Sequence, residues 1–174
     1  MIKDQFLSFY LGTPNEKAAD ECYDAISKAL TEIGINSSLT LIGALSTIRT
    51  EVGRAFKPIN EIASGDAYEG RKDLGNYIPG DGRKYKGRGY IQLTGRANYQ
   101  NYGNRIGVDL VCHPELALTV DNSAKILAVY FKDRGVNVAC DAKNWELVRR
   151  KVNGGLNGYD VFLLVINQYI KYEN

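Results

Sequence analysis

One histidine and three cysteines are all that this 174-residue chain offers to metal or thiol chemistry. His113 directly precedes Pro114, and a lone imidazole there supplies neither a metal set nor the base of a nucleophile relay. Cys22, Cys112 and Cys140 are odd in number and form no C-x-x-C. That pattern argues against a disulfide framework and a structural zinc, leaves one pair open, and suits synthesis in a reducing cytoplasm. No metal and no cofactor are expected. The N-terminal MIKDQFLSFYLG has one lysine, an early aspartate and too short an apolar run for a signal peptide. No stretch reaches transmembrane length, so no membrane partner is expected. Repeats, linkers and low-complexity tracts are also missing. A net charge of +2 excludes polyelectrolyte behaviour, and 44% hydrophobic with 24% charged residues suits one soluble domain over residues 1–174, expected as a monomer.

Acidic residues are missing locally as well. Between Asp81 and Asp109 there is no Asp or Glu, while Arg83, Lys84, Lys86, Arg88, Arg96 and Arg105 fall in that interval. Seven glycines lie from Gly75 to Gly103, with Tyr85, Tyr90, Tyr99 and Tyr102 among them. Three readings fit this composition: an irregular connection, a basic track with aromatic platforms for nucleic acid, or a groove wall where backbone closely approaches a ligand. The phosphate-loop pattern G-x-x-x-x-G-K-[ST] does not occur.

Elsewhere the chain is periodic. Ala18, Ala19, Cys22, Tyr23, Ile26, Ala29, Leu30 and Ile33 recur at helical spacing, which predicts a helix over 15–33 between Thr13-Pro14 and Gly34. A short amphipathic helix is expected over 2–11 and a third over 38–51, capped by Ser38. From Val52 to Gly107, where 11 of the 18 glycines fall, loops and short strands are expected, the strands around 85–93. Helices are then expected over 95–106 behind Thr94, after Asp121, after Asn144, and over 160–172. The fold class is mainly α: a helical body with a glycine-rich loop and short-strand lobe.

The order of residues says more than their kinds. Tyr85-Lys86-Gly87-Arg88-Gly89-Tyr90-Ile91-Gln92-Leu93-Thr94, then Gly95-Arg96-Ala97-Asn98-Tyr99, resembles the signature of family 19 glycoside hydrolases, in particular their phage and prophage endolysin branch. Thr50-Glu51-Val52-Gly53 and Phe56-Lys57-Pro58-Ile59-Asn60-Glu61 are similar to the catalytic-acid segment. Tyr68-Glu69-Gly70-Arg71, Pro79-Gly80-Asp81-Gly82 and Arg149-Arg150-Lys151-Val152-Asn153-Gly154-Gly155 follow in the same order as in that branch. The likeness runs from about Leu39 to the C-terminus. It departs where Thr50-Glu51-Val52-Gly53 stands in place of the Glu-Thr-Gly-Gly often seen, which touches the neighbours of the acid but not the acid itself. The resemblance implies the lysozyme-like α+β architecture, with substrate in a cleft between lobes.

Cleaving a glycosidic bond takes a proton for the leaving oxygen and an activated water or a nucleophile, which two carboxyls supply without a metal. By motif position Glu51 is the general acid and Glu61 the base. Pro58 stands between them, so they do not share a helix face. Glu69 is the alternative base and Asp66 a more distant one. Gln92, Thr94 and Asn98 carry over as water- and sugar-binding groups; their alternative role is turn and capping chemistry. Asn153 is expected to line the cleft or to cap a helix end. Tyr85, Tyr90 and Tyr99 are candidates for sugar stacking or for the core. Arg88 is expected to bind substrate or to brace the loops through carboxylates. The expected activity is inverting hydrolysis of β-1,4 links in peptidoglycan, with chitin the alternative polymer and no nucleic acid involved. A non-enzymatic wall- or nucleic-acid-binding module is the alternative of another class. The enzyme would be made in a host cytoplasm and act on the bacterial wall after release. Replacing Glu51 by Gln is expected to leave stability nearly unchanged.

Overall fold

The computed structural model describes residues 3–171. Nine α-helices and one two-stranded sheet follow in chain order among them. The helices are α1 (Lys3–Leu7), α2 (Glu16–Glu32), α3 (Ser38–Glu51), α4 (Asp81–Lys84), α5 (Arg96–Ile106), α6 (Val120–Asp133), α7 (Val136–Asp141), α8 (Trp145–Asn153) and α9 (Tyr159–Ile170). Strands β1 (Ile59–Asn60) and β2 (Arg88–Gly89) pair antiparallel, Ile59 opposite Gly89 and Asn60 opposite Arg88. No helix among the described residues is long and apolar enough to cross a membrane.

Helix α3 is the axis of the body. Every residue from Thr40 to Ile48 is buried, so it is covered on all sides, by α2, α7, α8 and α9. Gly43 makes room for α7: a Cβ there would clash with the Cys140 sulfur. Helix α2 is amphipathic as its spacing predicts, and it packs against α6 through Cys22, Ile26, Ala29 and Leu30. Cys22 is fully buried, and burial pushes its thiol up to about 12.

Several helix starts differ from expectation by a residue or two. Ser37, not Ser38, caps α3: its hydroxyl accepts from Thr40 N–H at 3.0 Å. Thr119, not Asp121, caps α6, accepting from Asn122 N–H at 3.3 Å, and Asp121 lies in the first turn. Asn144 caps α8 as expected, accepting from Leu147 N–H at 3.1 Å. Helix α1 ends at Leu7, because Phe9 and Tyr10 fold back on turn hydrogen bonds to Phe6 and Leu7, and the Tyr10 ring enters the core. The expected ends at Ile2 and Tyr172 lie outside the described residues.

Residues 52–107 form the second lobe. Short 3-10 turns (Gly53–Ala55, Asp66–Tyr68 and Lys72–Leu74), the two strands and α4 carry little apolar surface of their own. Hydrogen bonds hold this lobe together. Asn76 is buried; its side chain donates to Tyr68 C=O at 2.8 Å and accepts from Arg96 N–H at 2.9 Å. Asp81, 2% exposed, accepts from Tyr77 N–H, Ile78 N–H and the Arg96 guanidinium at 2.8–3.1 Å. A small cluster of Tyr85, Leu93, Tyr99 and Tyr102 ties the lobe to α5 and α6. The outcome is the mainly helical, lysozyme-like architecture that the sequence predicts.

Candidate active site

Glu51 ends α3, and the half-buried carboxylate pairs with Arg149 of α8. Arg149 is 3% exposed; its remaining N–H groups donate to Asn157 C=O at 2.8 and 2.6 Å. The guanidinium is therefore fixed between α8 and the turn leading into α9, and it holds one oxygen of Glu51 in place. Arg149 belongs to a quoted motif, yet its role escaped the sequence. The available signal was a cation beside Val148, on the buried side of an amphipathic helix.

Glu61 lies on the other lobe, one residue past β1. Its carboxylate accepts from Tyr68 O–H and from Gly87 N–H, both at 2.9 Å. Its own N–H donates to Gly87 C=O at 2.8 Å, which extends the strand pairing. The Tyr68 phenol is held above its usual value, first by its bond to Glu61, and so remains a donor. Gly87 has a steric reason to be glycine: a Cβ would stand 2.7 Å from Gln92 Oε1 and 3.2 Å from Glu61 Oε2. Base candidate and amide thus crowd the same backbone position.

Gln92 takes a left-handed backbone, φ 52°, where a non-glycine residue is uncommon. Its amide donates to Ile59 C=O and Gly89 C=O, both at 3.1 Å, and so clips the two strands. Thr94 O–H donates to Gln92 C=O at 2.8 Å, and the Asn98 amide donates to Thr94 C=O at 2.8 Å. Thr94 is not the α5 cap. Gly95 occupies that position at φ 91°, where a Cβ would strike Leu74 at 2.7 Å. Gln92, Thr94 and Asn98 line one wall of a groove of about 160 Å³ that is closed opposite by Tyr130 and Arg134. The charge of Glu51 acts on the Tyr130 phenol, whose value is raised first by burial. Tyr130 O–H donates to Lys151 C=O at 2.8 Å, on the helix whose Arg149 holds Glu51.

Other candidates are placed differently. Glu69 accepts from Gly80 N–H at 2.6 Å and Gly82 N–H at 2.9 Å; with one oxygen on each it buttresses the start of α4. Asp66 pairs with Arg83. Tyr85, Tyr90 and Tyr99 are corrected from stacking candidates to core, since each is essentially unexposed. The Tyr85 O–H donates to Val111 C=O and the Tyr90 O–H to Phe56 C=O, both at 3.0 Å; burial pushes the Tyr99 phenol up to about 12. Arg88 braces the loop, though not through carboxylates: it donates to Lys84 C=O at 2.8 Å and to the Tyr99 oxygen at 2.9 Å. Asn153 is the exposed last residue of α8, and Gly154, at φ 76°, makes the helix end.

The one-signed stretch is not a free basic track. Arg83, Arg96 and Arg105 pair with Asp66, Asp81 and Asp133, and Lys86 donates to Glu61 C=O and Ala63 C=O at 2.8 and 3.1 Å. Lys84 lies 5.3 Å over the Tyr85 ring. The carboxylates that pair with the three arginines lie outside the acid-free interval. Among the described residues no three His, Cys, Asp or Glu side chains gather as a metal set.

Residues 49–169 match glycosyl hydrolase family 19, chitinase class I. A family 19 domain-containing protein of Haemophilus influenzae is 38% identical over 101 residues, 58% of this chain and 48% of that one. The chain thus spans about half the length of that curated relative. Chitinase C of Streptomyces griseus superposes at a TM-score of 0.67 with 18% identity, covering 98% of this chain and 75% of that one. A second bacterial family 19 chitinase superposes at 0.68 with 16% identity, over 97% and 94% of the two chains. At those identities the structures speak for the fold, and the family match spans the stretch that contains Glu51, Glu61 and Gln92. The chain belongs to glycosyl hydrolase family 19.

Proposed function

We propose that this protein hydrolyses β-1,4 links in peptidoglycan, an endolysin-type activity on the bacterial wall, by direct inverting displacement. One observation carries the reading: body and lobe each carry one fixed carboxylate, one held by a buried guanidinium and the other by a phenol and a backbone N–H. Glu51 delivers its proton to the leaving oxygen. The carboxylate that remains meets the Arg149 guanidinium, an interaction that strengthens as the proton leaves and so favours the transition state. Glu61, oriented by Tyr68 and Gly87, takes the proton of the attacking water. Thr94 and Asn98 supply the neutral groups that hold water and N-acetyl substituents. The enzyme acts as a monomer on polysaccharide, without nucleic acid or membrane, and reaches the wall after release from the cytoplasm.

A second reading takes chitin as the polymer, because the structural neighbours are named chitinases. Digesting purified peptidoglycan and chitin in parallel, with the new reducing-end sugar identified by mass spectrometry, separates the two. Release from neither would remove the hydrolase reading. Proton NMR of fresh product, read before mutarotation, should show the α anomer, and a β product would require a nucleophile in place of the base.

A further inference from the structure

Two grooves meet at one pair of side chains. The groove beside Gln92 and Thr94 shares Tyr130 and Arg134 with a second groove of about 500 Å³, further lined by Arg150, Lys151, Val152 and Gly154. Among the described residues no Asp or Glu lines either one. Arg134 follows the last turn of α6, and its guanidinium lies 4.7 Å over the Tyr130 ring. Six other arginines, at 71, 83, 96, 105, 149 and 150, each have a carboxylate partner; among the described residues none pairs with Arg134. Its exposed guanidinium lies over a ring, which does not cancel its charge. Beside it the Lys151 ammonium donates to the Arg134 carbonyl at 2.7 Å, which adds a second cation and no acid. Tyr130, the ring under Arg134, donates its O–H to Lys151 C=O at 2.8 Å, on the helix whose Arg149 pairs with Glu51.

We propose that Arg134, with Lys151 behind it, is a subsite for a carboxylate carried by the substrate, adjacent to the bond that Glu51 cleaves. This rests on the glycosidase reading and narrows its substrate. A stacked guanidinium keeps its N–H edges free and already oriented, the geometry that grips a carboxylate with two parallel hydrogen bonds. Chitin is a neutral amide polymer and brings no anion to this place. The peptide stems of peptidoglycan bring carboxylates at the sugar next to the scissile link. The groove therefore selects the anionic polymer through its body side, not through the basic run of the lobe.

The test uses Glu51→Gln protein and calorimetric binding of soluble disaccharide-peptide fragments of peptidoglycan, native or with their carboxyls amidated. Native fragments should bind about tenfold tighter than amidated ones, about 1.4 kcal/mol. That ratio should shrink toward one in 0.5 M salt, because exposed charges are screened there. Adding Arg134→Gln should abolish the ratio, while Arg134→Lys should keep part of it. Equal binding of native and amidated fragments, or a ratio that survives Arg134→Gln, overturns the subsite. The amidation comparison needs no change at Arg134, so a variant that misfolds does not block the test. If the ratio stands while wild-type protein releases no sugar from any polymer, the hydrolase reading fails and the subsite survives.

Discussion

In the helical body, nine successive residues of α3 are buried and Leu45 sits among side chains of α2, α7 and α9. In the lobe over 52–107 the equivalent place is taken by Asn76, Asp81 and Arg96, whose polar atoms bind backbone N–H, C=O and one another. Apolar burial is non-directional, so the body tolerates exchange of one hydrophobic side chain for another of similar volume. Hydrogen bonds are directional, so the lobe fixes Glu61 and Gln92 in place with little apolar area but tolerates few changes. Each region carries one of the two candidate carboxylates. Body substitutions should therefore act on melting and lobe substitutions on turnover, and each prediction below probes that division.

The largest effect is expected at the two carboxylates. Glu51→Gln and Glu61→Gln should each lower sugar release by on the order of a hundredfold or more. The structure changes the stability expected of the first. Removing the Glu51 charge leaves the buried Arg149 guanidinium with only the Asn157 carbonyl, so Glu51→Gln should also lower the melting temperature, where sequence alone predicts no change. Glu69→Gln should leave most turnover intact. If Glu69→Gln is dead and Glu61→Gln active, the base is misassigned and the division of labour in the lobe is wrong.

Next in size is the core. Leu45→Ala should destabilise the protein by about 3 kcal/mol in urea unfolding, the cost of lost transfer free energy and a cavity, while folded protein keeps its KM. A raised KM at full folding would mean that body packing also shapes the groove.

Asp81→Asn should cost about 2 kcal/mol, the scale of a charge-assisted hydrogen bond, and should be felt first in the lobe. Its Arg96 partner holds the Asp81 carboxyl below the usual carboxylate range. A group with a lowered folded value stabilises above its unfolded value, near about 3.9, and loses that contribution as pH falls through the folded value. Amide protection at Tyr77 and Ile78 should therefore drop below pH about 4 in the wild type, ahead of protection in α3, and Asp81→Asn should flatten that dependence. Simultaneous loss in both regions would merge them into one cooperative unit.

The smallest effect is expected at Thr94→Val, about fivefold in kcat/KM, or roughly 1 kcal/mol for one neutral hydrogen bond. Its O–H otherwise pins the strained Gln92 carbonyl. An unchanged KM together with a lower kcat would favour a role toward water, and the reverse a role toward the sugar.

Residue order alone determined the helices with clear 3.6-residue period, the glycine-rich break between them, and which carboxylates and amides to watch, because period and motif spacing are local properties. Caps slipped by a residue or two, since neighbouring Ser, Thr and Asp side chains compete for the same orphan N–H groups. Partnership is not local. Arg149 meets Glu51 across 98 residues, and Arg105 meets Asp133 across 28. A run of six cations looks free in one dimension, yet in three Arg83, Arg96 and Arg105 meet carboxylates while Lys86 and Arg88 are held by carbonyls. The reverse holds for Arg134, ordinary in sequence and left without a carboxylate beside the groove. Tyrosine is equally ambiguous: Tyr85, Tyr90 and Tyr99 look like platforms but lie in the core, because a ring with a partner for its hydroxyl buries as well as a leucine does. Only the tertiary structure decided which charges were cancelled and which were left unpaired, because partners distant in sequence meet only when the chain folds.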